Sequence, residues 1–154
     1  MGIVRGICIS AARGTKKTPV AQARLVENWG IEGDAHAGKW HRQVSLLSLE
    51  RIREFQARGV SVEPGDFGEN LIVEGYDLKR LPVGTRLRTR GGCLLEVTQI
   101  GKECHSHCQI FRTVGDCIMP REGIFARVIR GGLLQNGDTI VLEKGDGEYE
   151  ADED

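Results

Sequence analysis

The run Lys102-Glu103-Cys104-His105-Ser106-His107-Cys108 sets two thiols and two imidazoles within five positions, with Lys102 and Arg112 flanking them. A thiol is a nucleophile only as the thiolate, and nearby cations lower its pKa by stabilising that charge. His105 and His107 are of the type that moves protons near neutral pH. Two chemistries suit such a run, and a third reading gives it none. Cys104 can act as a nucleophile or sulfur carrier, with Cys108 as a resolving partner if a helix presents the two at i and i+4. The Cys-His-x-His-Cys cluster can instead hold zinc, completed by Cys117, His36 or His41. Its spacing, however, matches no standard finger or ribbon, in which two short pairs sit well apart. In the third reading the cysteines are small buried hydrophobes and the histidines are solvated.

Three further constellations surround this run in the sequence. Gly33-Asp34-Ala35-His36-Ala37-Gly38, followed by His41 and Arg42, has glycines at both ends, which permits a tight loop with close backbone approach to a ligand. Asp34 and His36 can orient each other there, and Arg42 can take an anionic group with two parallel hydrogen bonds. Gly65-Asp66-Phe67-Gly68-Glu69-Asn70-Leu71 is a second loop of this kind. It reads equally as a site or as a strained turn whose Asp66 and Asn70 satisfy backbone groups. Asp116 to Gly123 adds Arg121, the cation best suited to meet an anion, with Lys102 as another. Neither glycine-rich loop matches a P-loop or dinucleotide fingerprint. No nucleic-acid or membrane partner is expected.

These groups must be held by a chain of 154 residues, about one domain's worth. At 40% hydrophobic and 28% charged residues, wholesale disorder is excluded. Twenty-one glycines without a Gly-X-Y period, scattered among short β-branched runs, indicate many tight turns and hence β structure. The net charge of −1 hides an asymmetry: residues 145–154 hold six acids and no Lys or Arg, leaving 21 − 16 = +5 on residues 1–144. Residues 1–144 are therefore expected to form one domain, and 145–154 an acidic, disordered tail. No stretch approaches the roughly 18 apolar residues of a membrane span, and the start lacks a signal-peptide pattern. A cytoplasmic address follows by default. Five cysteines in a reducing compartment read as metal-binding, catalytic or buried rather than paired.

Residues 3–10 read as an opening strand, Arg13 to Lys17 as a basic turn, and Thr18-Pro19-Val20 as an edge piece. Val44 to Leu47 is a short strand running into a helix over Leu49 to Ala57, with Ser48 as N-cap and Gly59 as the stop. Its apolar positions Leu49, Ile52 and Phe55 share a face. Asn70 to Glu74 reads as a strand, and Thr85–Thr89 with Cys93–Gln99 as a hairpin about Gly91-Gly92. Ile124, Phe125, Val128 and Ile129 are spaced as in a helical turn. Asn136-Gly137-Asp138 is a turn before a closing strand, Thr139 to Leu142. The expectation is a mainly β barrel with one or two short helices.

Taken together, these segments resemble the MOSC domain, named for the C-terminal domain of molybdenum cofactor sulfurases. The matching stretches are Gly33 to His36, Arg42-Gln43-Val44-Ser45-Leu46-Leu47, Gly65 to Leu71, Leu81-Pro82-Val83-Gly84, and Leu95-Glu96-Val97-Thr98-Gln99-Ile100 leading to Cys104. They span most of the chain. The resemblance implies a barrel-like fold and one reactive cysteine that carries sulfane sulfur as a persulfide or ligates molybdenum. Counting on from the Leu-Glu-Val-Thr-Gln strand puts Cys104 at that position. The residues from Cys108 to Gly123 look like the small stand-alone subgroup. Larger members commonly have Pro where this chain has Glu103, and an extra N-terminal barrel that this sequence does not contain. On this resemblance the molybdenum cofactor would be met by Asp34, His36, Arg42, Glu69, Asn70, Lys102 and Arg121. The partners implied are a cysteine desulfurase or molybdenum cofactor biosynthesis proteins. The chemistry would be sulfur transfer or a reaction of the cofactor, and the alternatives are a non-catalytic binding module or a zinc-stabilised protein.

Overall fold

A computed structural model describes residues 1–13, 15–101, 122–144 and 148–149. In chain order the elements are β1 (Gly2–Ile9), β2 (Thr18–Pro19), β3 (Gln22–Val26), β4 (Gly30–Ile31), β5 (Val44–Ser48), α1 (Leu49–Ala57), β6 (Leu71–Glu74), β7 (Arg86–Thr89), β8 (Leu94–Ile100), β9 (Ile124–Arg130), β10 (Gly132–Gln135), β11 (Thr139–Lys144) and β12 (Glu148–Tyr149). Seven of them form a closed ring in the order β1-β6-β5-β9-β8-β7-β11, and β11 returns to β1 through Gly2↔Ile140 and Ile3↔Thr139. Closure leaves the ring without an edge strand. Only β5 and β6 run parallel, Leu46 facing Leu71, because the crossover between them contains α1. A small second sheet, β10-β3-β4, lies outside the ring.

The barrel interior is packed rather than hollow. Val4, Ile7, Val44, Leu46, Leu71, Val73, Leu87, Leu95, Val97, Ile124, Ala126 and Ile140 are all buried in one cluster. A second cluster lies under α1, where Ile52 and Phe55 pack on Leu47, Val62, Phe67 and Ile72. The Phe55 and Phe67 rings meet edge to face at 5.1 Å, the arrangement favoured by the ring quadrupoles.

The helix stands over Leu49–Ala57 as expected and stops at Gly59, which takes φ +91° and donates its N–H to the Gln56 carbonyl at 2.9 Å. Ser48 occupies the N-cap position but makes no capping bond. Its hydroxyl donates instead to the Tyr76 carbonyl at 2.9 Å and accepts the Leu78 N–H at 3.2 Å, tying β5 to the turn after β6. The hairpin about Gly91-Gly92 and the turn at Asn136–Asp138 lie where expected. Residues 124–130 are the strand β9, not a helical turn. Neighbours in sequence are both apolar there because the strand is covered on both faces. A bulge against β8, where Leu94 and Leu95 face Arg130 and Val128, also breaks the alternation. Within the expected tail, Glu148–Tyr149 pairs with β11 through Glu143↔Tyr149; residues 145–147 and 150–154 lie outside the described residues.

The loop between α1 and β6 is pinned at Gly65. This residue stands at φ +92°, and a Cβ on it would overlap the carbonyl oxygen of Lys17. Gly65→Ala is therefore expected to cost more than the roughly 1–3 kcal/mol of a strained left-handed backbone alone. Gly84→Ala, at φ +96° with open space around the added methyl, should stay within that range. Urea unfolding of the two variants measures the difference.

Candidate functional site

The loop joining β4 to β5 is built around Asp34. Gly33 turns the chain at φ +86°. The Asp34 carboxylate then accepts the N–H of His36 two residues on at 3.0 Å, the local bond for which Asp is suited in turns. Its other oxygen accepts the Ser10 N–H at 3.1 Å and the Lys17 ammonium at 2.7 Å. Both side chains of this pair are buried, at 1% exposure for Lys17 and 0% for Asp34. Burial works against the charge of Asp34, yet the Lys17 hydrogen bond and charge, with the two backbone N–H groups, hold its carboxyl below the ordinary range. Lys17 also donates to the Ser10 hydroxyl at 3.1 Å, and Ala35 donates its N–H to the Ser10 carbonyl at 2.8 Å. The two loops that follow β1 and β4 are thus one unit.

On that unit stands an aromatic and cationic cluster. Trp40 is locked by its indole N–H on the His36 carbonyl at 2.8 Å, and the His36 ring lies parallel to it at 6.4 Å. The Arg13 guanidinium sits 4.6 Å from the Trp40 ring centre and donates Nε–H to the Ala35 carbonyl at 3.2 Å. Arg42 lies 5.8 Å from the Trp40 ring and 5.4 Å from that of Phe125. Such cation–π contacts hold guanidinium planes in place while leaving N–H groups for a ligand. The His36 Nδ1 lies 3.8 Å from Asp34.

Gln99 joins this cluster to the end of β8. A bulge between Val97 and Gln99 re-aims the side chains there. The Thr98 hydroxyl donates to the His41 carbonyl, and Gln99 Oε1 lies 2.8 Å from His41 Nε2 and accepts Arg42 Nε–H at 3.2 Å. The Gln99 amide donates to the Gly101 carbonyl at 2.7 Å, and the Gly101 N–H donates to the Gly123 carbonyl at 2.7 Å. Gly101 immediately precedes Lys102, and Gly123 follows Arg121 by two residues. The segment with the two thiols and two imidazoles therefore leaves and rejoins the barrel beside His41 and Arg42. Glu122, at the returning end, is held by Lys79 at 2.9 Å and lies 4.0 Å from Arg51.

Glu69 and Asn70 form the adjoining buried layer. Asn70 accepts the Ser45 N–H at 2.9 Å and donates to the Cys8 carbonyl at 3.0 Å, so it bridges β5 and β1. Glu69 has no exposed surface and accepts the N–H groups of Gly65 at 3.0 Å and Phe67 at 3.1 Å. Burial pushes its carboxyl up to about 7 against the pull of those donors, with the nearby Asp66 charge adding to the rise. Cys8 and Cys93 are free and buried. Burial first, and then the Glu69 charge, push the Cys8 thiol up to about 12; burial also raises that of Cys93. Neither is a nucleophile at neutral pH.

Of the residues singled out in the sequence, Asp34, His36 and Arg42 belong to one loop, Asp34 buried and His36 and Arg42 beside Trp40, while Glu69 and Asn70 are buried and occupied chiefly with backbone groups. Lys102, Cys104, His105, His107, Cys108 and Arg121 lie outside the described residues. Among the described residues no group of three or more His, Cys, Asp or Glu side chains is placed to hold a metal, and no helix is long and apolar enough to cross a membrane. Sequence reading missed Lys17, Arg13, Trp40 and Gln99. Nothing local distinguishes Lys17 from Lys16, and only the fold buries one of them.

A mainly β, closed seven-stranded barrel, with one α-helix among the described residues, is the class that these elements define. The model of the MOSC domain matches residues 33–141, and the chain belongs to that family. No curated protein matches the sequence. Among solved structures it is similar to the YuaD protein of Bacillus subtilis (TM-score 0.75, 22% identity, covering 91% of this chain and 94% of that one). It is also similar to YiiM of Geobacillus stearothermophilus (0.65, 21%, 96% and 76%) and YiiM of Escherichia coli (0.61, 21%, 95% and 73%). At these identities the likeness shows the fold alone.

Removing the ammonium from the buried pair should expose its weight. Lys17→Met is expected to destabilise the protein by roughly 3–5 kcal/mol at neutral pH, because it strands a buried carboxylate. In the wild type, Asp34 contributes stability that is present above its ordinary pKa and lost as pH falls through its lowered folded value. In the variant Asp34 protonates on folding instead, so the gap between the two proteins should narrow as pH is lowered towards 4. Denaturant titrations across that range check it.

Proposed function

We propose that this MOSC protein acts in molybdenum cofactor metabolism, with Cys104 as the residue that carries sulfane sulfur as a persulfide or ligates molybdenum. The observation that carries the reading is the bond from Gln99 to Gly101, which sets the start of the Cys104 segment beside Arg42 and His41. Of the five cysteines, Cys8 and Cys93 are buried with raised pKa values, which leaves the sulfur chemistry to the 104–117 stretch.

The described residues suit the cofactor's organic part. Molybdopterin presents a planar ring system and a phosphate, and it supplies a dithiolene that holds the metal. Arg13 and Arg42 each spend their Nε on one protein oxygen, which leaves the outer nitrogens of both forks for oxyanion contacts. The Trp40 ring offers a stacking surface beside them, and Lys102 and Arg121 add charge by sequence. Asp34, Glu69 and Asn70 act in this reading by shaping the loops, and His36 meets the ligand from the Trp40 side. The same cations favour the thiolate form of Cys104, with His105 or His107 as the local base and Cys108 as an auxiliary thiol. A cysteine desulfurase would supply the sulfur, and biosynthesis proteins of the cofactor would be the natural partners, in the cytoplasm.

Intact mass after incubation with a cysteine desulfurase and free cysteine tests the reading. Wild type should gain one sulfur atom and Cys104→Ser should gain none while keeping its fold. Loss confined to Cys108→Ser would move the carrier by four positions. A protein that takes up no sulfur in any form would refute the carrier role and leave cofactor binding, which pterin analysis of the purified protein would then decide.

A further inference from the structure

We propose that Glu69 is a positioning residue whose protonation state adjusts the loop 33–42, acting through Gly65, Lys17 and Asp34. Each link is a direct contact. The Glu69 carboxyl gathers the N–H groups of Gly65 and Phe67. The Gly65 carbonyl accepts the Lys17 N–H at 2.8 Å, and the two backbones touch so closely that no side chain fits between them. Lys17 passes its ammonium to Asp34 and Ser10, and Asp34 fixes the His36 N–H. The ends of this relay are a buried acid and the loop that carries His36, Trp40 and Arg42.

An ionised carboxylate draws two N–H donors more strongly than a neutral acid does. Proton loss from Glu69 therefore tightens the 65–67 turn and adds a negative charge to a layer in which Lys17 already serves Asp34. The other groups facing that layer are few. Cys8 on β1 feels both Glu69 and Lys17 and stays a neutral thiol. Asp66 on the same loop is met by Lys16 at 3.7 Å. On β5 the facing group is the uncharged Ser45, whose hydroxyl bonds Asn70 and lies 3.4 Å from the Gly68 carbonyl. Phe67 faces the apolar cluster under α1. With Asp34 already neutralised by Lys17, Glu69 is the group in this layer left to change charge near neutrality, since burial places its carboxyl at about 7. The imidazoles of His36, 3.8 Å from Asp34, and His41, beside Gln99, are the other candidates for a step felt by the loop, and a variant lacking both separates them from Glu69.

This inference takes the 33–42 loop as part of the site proposed above, but the experiment reads the loop itself without sulfur donor or cofactor. Backbone amide shifts of the full chain are followed from about pH 3 to about pH 9, a span that covers ordinary and displaced carboxyls as well as imidazoles. The Gly65 and Phe67 amides should move together with a midpoint near 7, and those of Ser10 and Ala35 should share that midpoint. Glu69→Gln should abolish the shared step, while His36→Gln with His41→Gln should preserve it. A midpoint for Gly65 and Phe67 in the ordinary carboxyl range of about 4–5 would overturn the proposal. So would a step at Ser10 and Ala35 that survives Glu69→Gln. If Glu69→Gln does not fold, the histidine double variant decides alone: loss of the step at Ser10 and Ala35 refutes the relay, and its retention supports it.

Discussion

The buried pair of Lys17 and Asp34 is the contact on which the site face depends. Taking two charges out of water costs several kcal/mol per ion, and attraction alone repays that only when the remaining hydrogen-bonding capacity is filled. Here both partners have further hydrogen bonds besides the one they share. Asp34 receives two backbone N–H groups besides the ammonium, and Lys17 gives to the Ser10 hydroxyl as well. The arrangement therefore fixes three pieces of chain at once: the end of β1, the 10–17 loop and the 33–42 loop. Arg13 and Trp40 can stack only because both loops are held to the same anchor.

A closed barrel offers no edge on which a ligand-binding surface can grow, so the reactive groups come from the connections. These connections are kept rigid by two devices. One is the use of acids as acceptors for backbone N–H groups, seen at Asp34 and Glu69. The other is close backbone approach, seen where Gly65 meets Lys17. A third component, the side chain of Gln99, ties the arginine cluster to the root of the cysteine segment and needs the bulge in β8 to face that way.

How much of this could be read from the sequence varied with the physics involved. The helix was legible because Leu49, Ile52 and Phe55 repeat on one face and Gly59 marks its stop. The β7–β8 hairpin was legible because two glycines stand between β-forming runs. The family motifs pick out Asp34, His36 and Arg42, and the structure buries Asp34 as the loop's anchor and sets His36 and Arg42 beside Trp40. Residues 123–130 misled because a strand buried on both sides loses its alternation and imitates a helical spacing. Ser48 was placed correctly but bonds across to Tyr76 and Leu78, a tertiary choice that no local pattern records. The outer sheet β10-β3-β4 was missed because β3 mixes exposed Gln22 and Arg24 with a single buried Leu25. Lys17 was invisible for the most general reason: burial of a lysine is decided by partners distant in sequence.

The pairing of β1 with β11 has a consequence for how the molecule forms. The first strand of the chain closes the ring against one that begins at Thr139, and β6 pairs with β1 from the other side. Contacts of such long sequence separation are formed only after large loop-closure entropy has been met, which slows folding. During synthesis β1 can pair with β6 early, yet its second partner has still to be made, so the barrel stays open along that seam. Its inward apolar residues are then exposed until Thr139 and Ile140, at the start of β11, have left the ribosome. A sequence lesion near Ile140 would thus show itself first as aggregation of newly made chains rather than as a weakened site.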